Sequence, residues 1–186
     1  MYEVDFSKPI HIHFIGIGGI SMSGLAEILM REGFRVSGSD SHESELTDHL
    51  AAAGAKVMYG QAAANITDDI DLVVYTAAVH TDNPEYAEVV RRGIPMMTRA
   101  ELLGQIMKNY GEAIAISGTH GKTTTTSMVT EILLAAEKDP TISVGGILHS
   151  IGGNIRVGGP ELFVTEACEY TNLSLIHITE PTRQEA

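Results

Sequence analysis

The run Gly118-Thr119-His120-Gly121-Lys122-Thr123, continued by Thr124, Thr125 and Thr126, has the most explicit chemistry in the sequence. Glycines let backbone N–H groups turn inward around an anion. A helix opening directly behind them adds partial positive charge at its N-terminus. In such a loop Lys122 reaches the β- and γ-phosphates of a nucleotide, and the Thr123 hydroxyl is a ligand for Mg²⁺. Gly118, Thr119, His120, Gly121 and Thr124 complete the phosphate cradle. The spacing is G-x-x-G-K-T, because Ile116 stands where the longer G-x-x-x-x-G-K-[ST] form has its first glycine. The plainer alternative is a glycine turn carrying an exposed lysine. The apolar run before the loop and the helical pattern after it favour phosphate binding.

A second glycine cluster, Gly16-x-Gly18-Gly19-x-Ser21, is a dinucleotide-like turn with Ser21 in place of the third glycine. Asp40 follows 24 residues after Gly16, near where an acidic residue meets a ribose hydroxyl. A tight strand-to-helix turn without a ligand is the alternative. Taken alone, residues 1–110 fit an NAD-binding domain. Thr76-Ala77-Ala78 follows an apolar strand, and small residues at a strand's carboxyl end allow a ligand to approach, unless the segment is a plain βα loop. Glu166 ends another apolar run, where a carboxylate beside a phosphate loop suits Mg²⁺. Glu169 is either a second ligand or solvated. Cys168 reads as a packing residue, because no partnering base is evident.

Positioning these loops requires strands that end where helices begin. Residues 10–15, 35–39, 56–59, 71–75 and 94–97 read as strands. Met22, Leu25, Ala26 and Leu29 recur on one helical face, with Gly33 closing that helix. Leu46, Leu50 and Ala53 mark a second helix. Asn83-Pro84 reads as a cap with proline in the first turn, Gly93 as the stop, and Thr98 to Glu101 as a capping box. Strands alternating with helices imply a parallel sheet covered on both faces. Gly111 breaks the pattern, so a domain boundary falls near residue 110. Beyond it, residues 113–117, 140–144 and 162–166 read as strands. A helix presents Val129, Ile132, Leu133 and Ala136 on one face, and the pairs Gly145-Gly146, Gly152-Gly153 and Gly158-Gly159 punctuate loops. The expected class is α/β: a Rossmann-like parallel-sheet domain followed by the start of a P-loop α/β ATP-binding domain.

Composition narrows the class further. The 186 residues are 44% hydrophobic and 19% charged, enough apolar side chain for a core. A net charge of −12 argues against nucleic acid or an anionic membrane as partner. One cysteine gives no internal disulfide. No apolar run approaches the length of a membrane span, and the first ten residues lack a signal-peptide h-region. A cytoplasmic location is the expectation. No motif speaks to oligomeric state.

In combination and order, residues 13–19, 22–27, 38–40, 118–126 and 166–170 resemble the Mur ligases, over about residues 10–172. The resemblance implies that residues 1–110 hold the UDP part of a sugar nucleotide through Gly16, Gly18, Gly19, Ser21, Asp40, Thr76, Ala77 and Ala78. Residues 111–172 would begin an ATP-binding central domain, with Lys122 catalytic and Thr123 and Glu166 holding Mg²⁺. It implies an amide-bond ligase using ATP, UDP-N-acetylmuramate and L-alanine. The γ-phosphate first activates the lactyl carboxylate as an acyl phosphate, which the amine then attacks. A peptide-attaching recycling ligase of the same family, a non-catalytic nucleotide-binding module and a Rossmann dehydrogenase are the alternatives. Residues 173–186 depart from the family pattern and read as a foreign tail, with a natural truncation or a divergent end as the alternative. Family members are substantially longer, so the 186-residue chain alone is expected to be inactive as a ligase.

Overall fold

The computed structural model describes residues 2–167. The first sheet contains β1 (His11–Ile15), β2 (Arg35–Asp40), β3 (Lys56–Tyr59), β4 (Leu72–Tyr75) and β5 (Met96–Thr98). Its order is β3-β2-β1-β4-β5, with every neighbouring pair parallel. Between these strands run α1 (Ile20–Arg31), α2 (Glu45–Ala52) and α3 (Pro84–Arg92), and α4 (Arg99–Met107) follows β5. Local chemistry sets the helix ends. Asn83 Oδ1 accepts the N–H groups of Glu85 and Tyr86, Pro84 occupies the first turn, and Gly93 closes α3 at φ 67°. Thr98 and Glu101 form the capping box that starts α4.

The second sheet contains β6 (Glu112–Ile116), β7 (Thr141–Leu148), β8 (Gly153–Arg156) and β9 (Leu162–Glu166), ordered β6-β9-β7-β8. Strands β6, β9 and β7 are parallel, and β8 returns antiparallel to β7. Helix α5 (Lys122–Ala135) connects β6 to β7. The main core joins Ile12 and Phe14 of β1, Leu25 and Leu29 of α1, Leu103 and Ile106 of α4, and Phe163 of β9. Phe163 also meets the ring of Tyr110, centroids 5.0 Å apart, so the two sheets share apolar packing.

Three details depart from the sequence reading. Gly145 and Gly146 lie inside β7 and not in a loop, and β8 is an additional strand that begins at Gly153, a second glycine expected in a loop. The register of β7 against β8 shifts between Ser143 and Leu148, an irregularity that glycines accommodate. The third departure is the buried stripe of α5, which is rotated from the expected one. Thr126 and Thr130 are fully buried, whereas Ile132 is 67% exposed and Ala136 is exposed. Apolar spacing marks a stripe; which adjacent stripe meets the sheet depends on the crossing of helix and strands. Cys168, Glu169 and the tail at 173–186 lie outside the described residues.

Candidate functional site: two glycine turns on one chain

Strand β1 is central in its sheet and ends at Gly16, whose φ of +86° suits a residue without a Cβ. The N–H groups of Gly16 and Ile17 both donate to the Ser39 carbonyl, at 2.8 and 3.0 Å, pinning the turn over the end of β2. Gly18 N–H donates to Asp40 Oδ2 at 2.8 Å. A Cβ on Gly18 would lie 2.8 Å from that oxygen and 2.9 Å from Thr47 Cγ2, so any side chain there would push the Asp40 carboxylate and the Thr47 methyl aside.

Above this turn is a cleft of about 650 Å³, lined by Gly16, Gly18, Gly19, Asp40, Thr76 and Ala78. It lies beyond the carboxyl ends of β1 and β4, where the strand order reverses, the usual ligand position in an open parallel sheet. The structure thus brings together the glycine turn, Asp40 and the Thr76 loop. Ser21 and Ala77 are not among the residues lining the cleft, and Ser21 is exposed on the first turn of α1. Both Asp40 carboxylate oxygens are engaged within the chain, because Oδ1 also accepts the Ser41 N–H at 2.7 Å. The sequence reading missed Ser41, Gln61, Asp82 and Asn83 on the cleft wall. Asn83 was legible only as a helix cap; its amide group also donates to Gln61.

A polar layer beneath the cleft fixes the wall. Alternation along β1 and β2 puts His11, His13, Ser37 and Ser39 on one sheet face. His11 Nε2 and His13 Nδ1 lie 2.8 and 2.9 Å from Ser37 Oγ. Glu85, in the first turn of α3, is fully buried and accepts from Ser39 Oγ at 2.6 Å and from Asn65 Nδ2. That carboxylate ties α3, and therefore Asn83 and Pro84, to the end of β2. Burial, helped by the nearby Arg35 cation, pulls the pKa of His11 down to about 4.

The second turn is built differently. Strand β6 leads to Gly118 at φ +153°, and Gly121, at φ +77°, caps α5 with no side-chain hydrogen bond. The first-turn amides of a helix have no intrahelical partner, and α5 has no acidic residue in that turn. Thr119, His120, Thr123 and Thr124 are exposed, and Lys122 Nζ donates to the Gly118 carbonyl across the loop. The arrangement is an open, electropositive helix N-terminus with a lysine held over it.

Glu166 ends β9, and its Oε1 accepts the Gly145 N–H at 2.9 Å. A Cβ on Gly145 would lie 2.9 Å from Glu166 Oε2, so the absent side chain makes room for the carboxylate. A Cβ on the adjacent Gly146 would lie 3.4 Å from Thr123 Cγ2, so consecutive residues of β7 sit against both Glu166 and Thr123. Among the described residues no cluster of three His, Cys, Asp or Glu forms a self-contained metal cage. One carboxylate and one hydroxyl fit Mg²⁺, which binds through few protein ligands plus phosphate oxygens.

The two turns are physically linked. Ile155 of β8 fills the space that a Cβ would take at Gly24 of α1, and Asn154 Nδ2 donates to the Ile20 carbonyl. The β7–β8 hairpin therefore rests on the helix that begins at the first glycine turn.

Comparison with known proteins identifies this arrangement. The family profile described as Mur ligase family, catalytic domain, matches residues 11–111. The UDP-N-acetylmuramate–L-alanine ligase of Agathobacter rectalis is 74% identical over 172 residues, covering 92% of this chain and 38% of that protein. The solved structure of UDP-N-acetylmuramate-alanine ligase MurC from Thermotoga maritima superposes with a TM-score of 0.75 at 36% identity, covering 84% of this chain and 37% of that one. The UDP-N-acetylmuramate:L-alanyl-gamma-D-glutamyl-meso-diaminopimelate ligase from Neisseria meningitidis gives 0.79 at 31% identity, covering 88% and 54%. The chain spans about two fifths of the length of the curated relatives it matches. A parallel sheet of order 3-2-1-4-5 is shared with nicotinamide enzymes, but the matched profile and relatives are ligases, and the dehydrogenase alternative falls. The chain belongs to the Mur ligase family.

Proposed function

We propose that this chain carries the sugar-nucleotide and ATP sites of a ligase that joins L-alanine to UDP-N-acetylmuramate in peptidoglycan precursor synthesis. The observation that carries the reading is the pairing of two strand–glycine–helix turns on one chain, in a sequence 74% identical to a protein of that name. Residues 1–110 form the UDP-substrate domain, with the cleft around Gly16, Gly18, Gly19, Asp40, Thr76 and Ala78 receiving the uridine sugar. Residues 111–172 begin the ATP domain.

In the first step a lactyl carboxylate oxygen of the sugar bonds to the γ-phosphorus of ATP, the bond to the bridging oxygen breaks, and ADP leaves. In the second, the amine of L-alanine bonds to the acyl carbon, inorganic phosphate departs and the amine loses a proton. Phosphoryl transfer depends mainly on positioning and charge neutralisation. Lys122 is the cation over the phosphates, and the loop amides and the α5 N-terminus bind their oxygens. Thr123 and Glu166 hold Mg²⁺, which when bound neutralises charge on the transferring phosphoryl group. Glu166 is oriented by Gly145.

The peptide-attaching reading has support in the TM-score of 0.79 to the Neisseria ligase, but identity there is 31% against 74% for the L-alanine ligase. No helix among the described residues is long and apolar enough to cross a membrane, and we place the reaction in the cytoplasm. Calorimetric titration of the 186-residue chain with UDP-N-acetylmuramate tests the reading. Saturable binding without ATP-dependent phosphate release in the presence of L-alanine is the expected result. Absence of sugar-nucleotide binding contradicts it.

A further inference from the structure

We propose that Gly145 is a positioning residue for Glu166, an inference that rests on the phosphate-loop reading above and assigns a role to a glycine pair the sequence placed in a loop. Strand β7 pairs in parallel with β9 as far as Ser143 opposite Thr165, and its register against β8 shifts just beyond. At that irregularity the Gly145 N–H turns to the Glu166 carboxylate at 2.9 Å. Past the last paired residues of β7 and β9 a backbone donor has no ladder carbonyl and takes the side-chain acceptor instead. The missing side chain matters equally, since a Cβ would press on Oε2 at 2.9 Å and on Cδ at 3.4 Å. One carboxylate oxygen is held by the amide, and the group as a whole keeps its place only beside glycine. The next residue, Gly146, abuts Thr123 on the first turn of α5. The glycine pair thus leaves room for both proposed ligands, Glu166 beside Gly145 and Thr123 beside Gly146, with Gly145 orienting the carboxylate.

The test is titration of the 186-residue chain with the non-hydrolysable ATP analogue adenylyl imidodiphosphate, with and without Mg²⁺, alongside a thermal melt. In Gly145→Ala, nucleotide affinity in Mg²⁺ falls by about 10-fold or more, the scale set by partners that orient a metal ligand. Affinity in EDTA stays within about 2-fold of the parent, because the phosphate loop is untouched. Glu166→Asp supplies a second variant that leaves the backbone of β7 unchanged. It keeps the charge but draws the carboxylate away from the Gly145 amide, and it shows a similar Mg²⁺-specific loss. Equal affinities for the parent and either variant in Mg²⁺ overturn the role of Gly145, as does an equal loss with and without the metal. If the parent chain binds no nucleotide in either condition, the phosphate-loop reading itself fails, a result distinct from failure of the Gly145 role.

Discussion

The two glycine turns of this chain start from the same design, an apolar strand running through glycines into a helix, and end in opposite states. At Gly16–Gly19 the protein satisfies its own loop. The Ser39 carbonyl takes two amides and Asp40 takes a third, while a buried polar layer of His11, His13, Ser37, Ser39 and Glu85 supports the floor. At Gly118–Gly121 the loop is exposed and its lysine bonds to a carbonyl of the same loop; α1 and α5 both begin at a glycine without a side-chain cap, so the difference lies in the loop amides. A turn whose amides are already used shapes a cleft and leaves recognition to the residues around it. A turn whose amides are open is itself the binding element. The motif sets where a ligand sits; the surrounding acceptors decide which of these jobs the loop does.

Removing the lysine of the open turn should give the largest effect. In a full-length ligase carrying this segment, Lys122→Ala lowers turnover by about 10²-fold or more, the scale of one preorganised charge-stabilising donor. Near-normal steady-state turnover would break the assignment of the second turn.

Acid sharpens the contrast through the layer beneath the first turn. His11 has its pKa lowered from 6.5 to about 4, mainly by burial. The unfolded chain therefore takes up this proton first. Stability due to the neutral ring is complete above pH 6.5, declines as pH falls toward 4, and levels off below. The full span is up to about 3 kcal/mol. Urea melts from pH 7 to 4, compared with His11→Gln, should show that slope in the parent and a shallower one in the variant.

A smaller effect is expected at the closed turn. Gly18→Ala forces its Cβ against Asp40 and Thr47 and should weaken UDP-N-acetylmuramate binding by about 10-fold, or about 1.4 kcal/mol. ATP-analogue binding should be unchanged by calorimetry. Equal weakening of both ligands would mean that the turns are not separable. The smallest effect belongs to the second unit. Thr130 Oγ1 is buried with no hydrogen-bond partner among the described residues. Thr130→Val should raise stability by about 1 kcal/mol in a denaturant melt, since an unmet polar group is replaced by a methyl.

Much of this was legible from residues. Asn83-Pro84, Gly93 and the Thr98–Glu101 box state their helix ends through local chemistry that needs no tertiary partner. β4 is an apolar run ending before Thr76, and each glycine turn follows a strand whose alternate or successive residues are apolar, β1 before Gly16 and β6 before Gly118. The buried polar layer was not legible, because a histidine on a strand looks the same whether it meets water or Ser37. Asp40 was read as a ligand contact, but its bond to Gly18 depends on how β2 sits beside β1, a register that only the folded sheet defines. Gly145 was hidden for a related reason. Its partner Glu166 is 21 residues away on a neighbouring strand, and glycine in sequence signals a turn more readily than a space kept for a carboxylate.

The central claim is that one chain holds two independent ligands on two turns of one design. Calorimetry of the 186-residue chain with UDP-N-acetylmuramate and with adenylyl imidodiphosphate in Mg²⁺, on the parent, Gly18→Ala and Lys122→Ala, tests it most directly. The account predicts two separate saturable isotherms, with the first weakened only by Gly18→Ala and the second only by Lys122→Ala. Competition of the two ligands for a single site, or loss of both from either substitution, would contradict it.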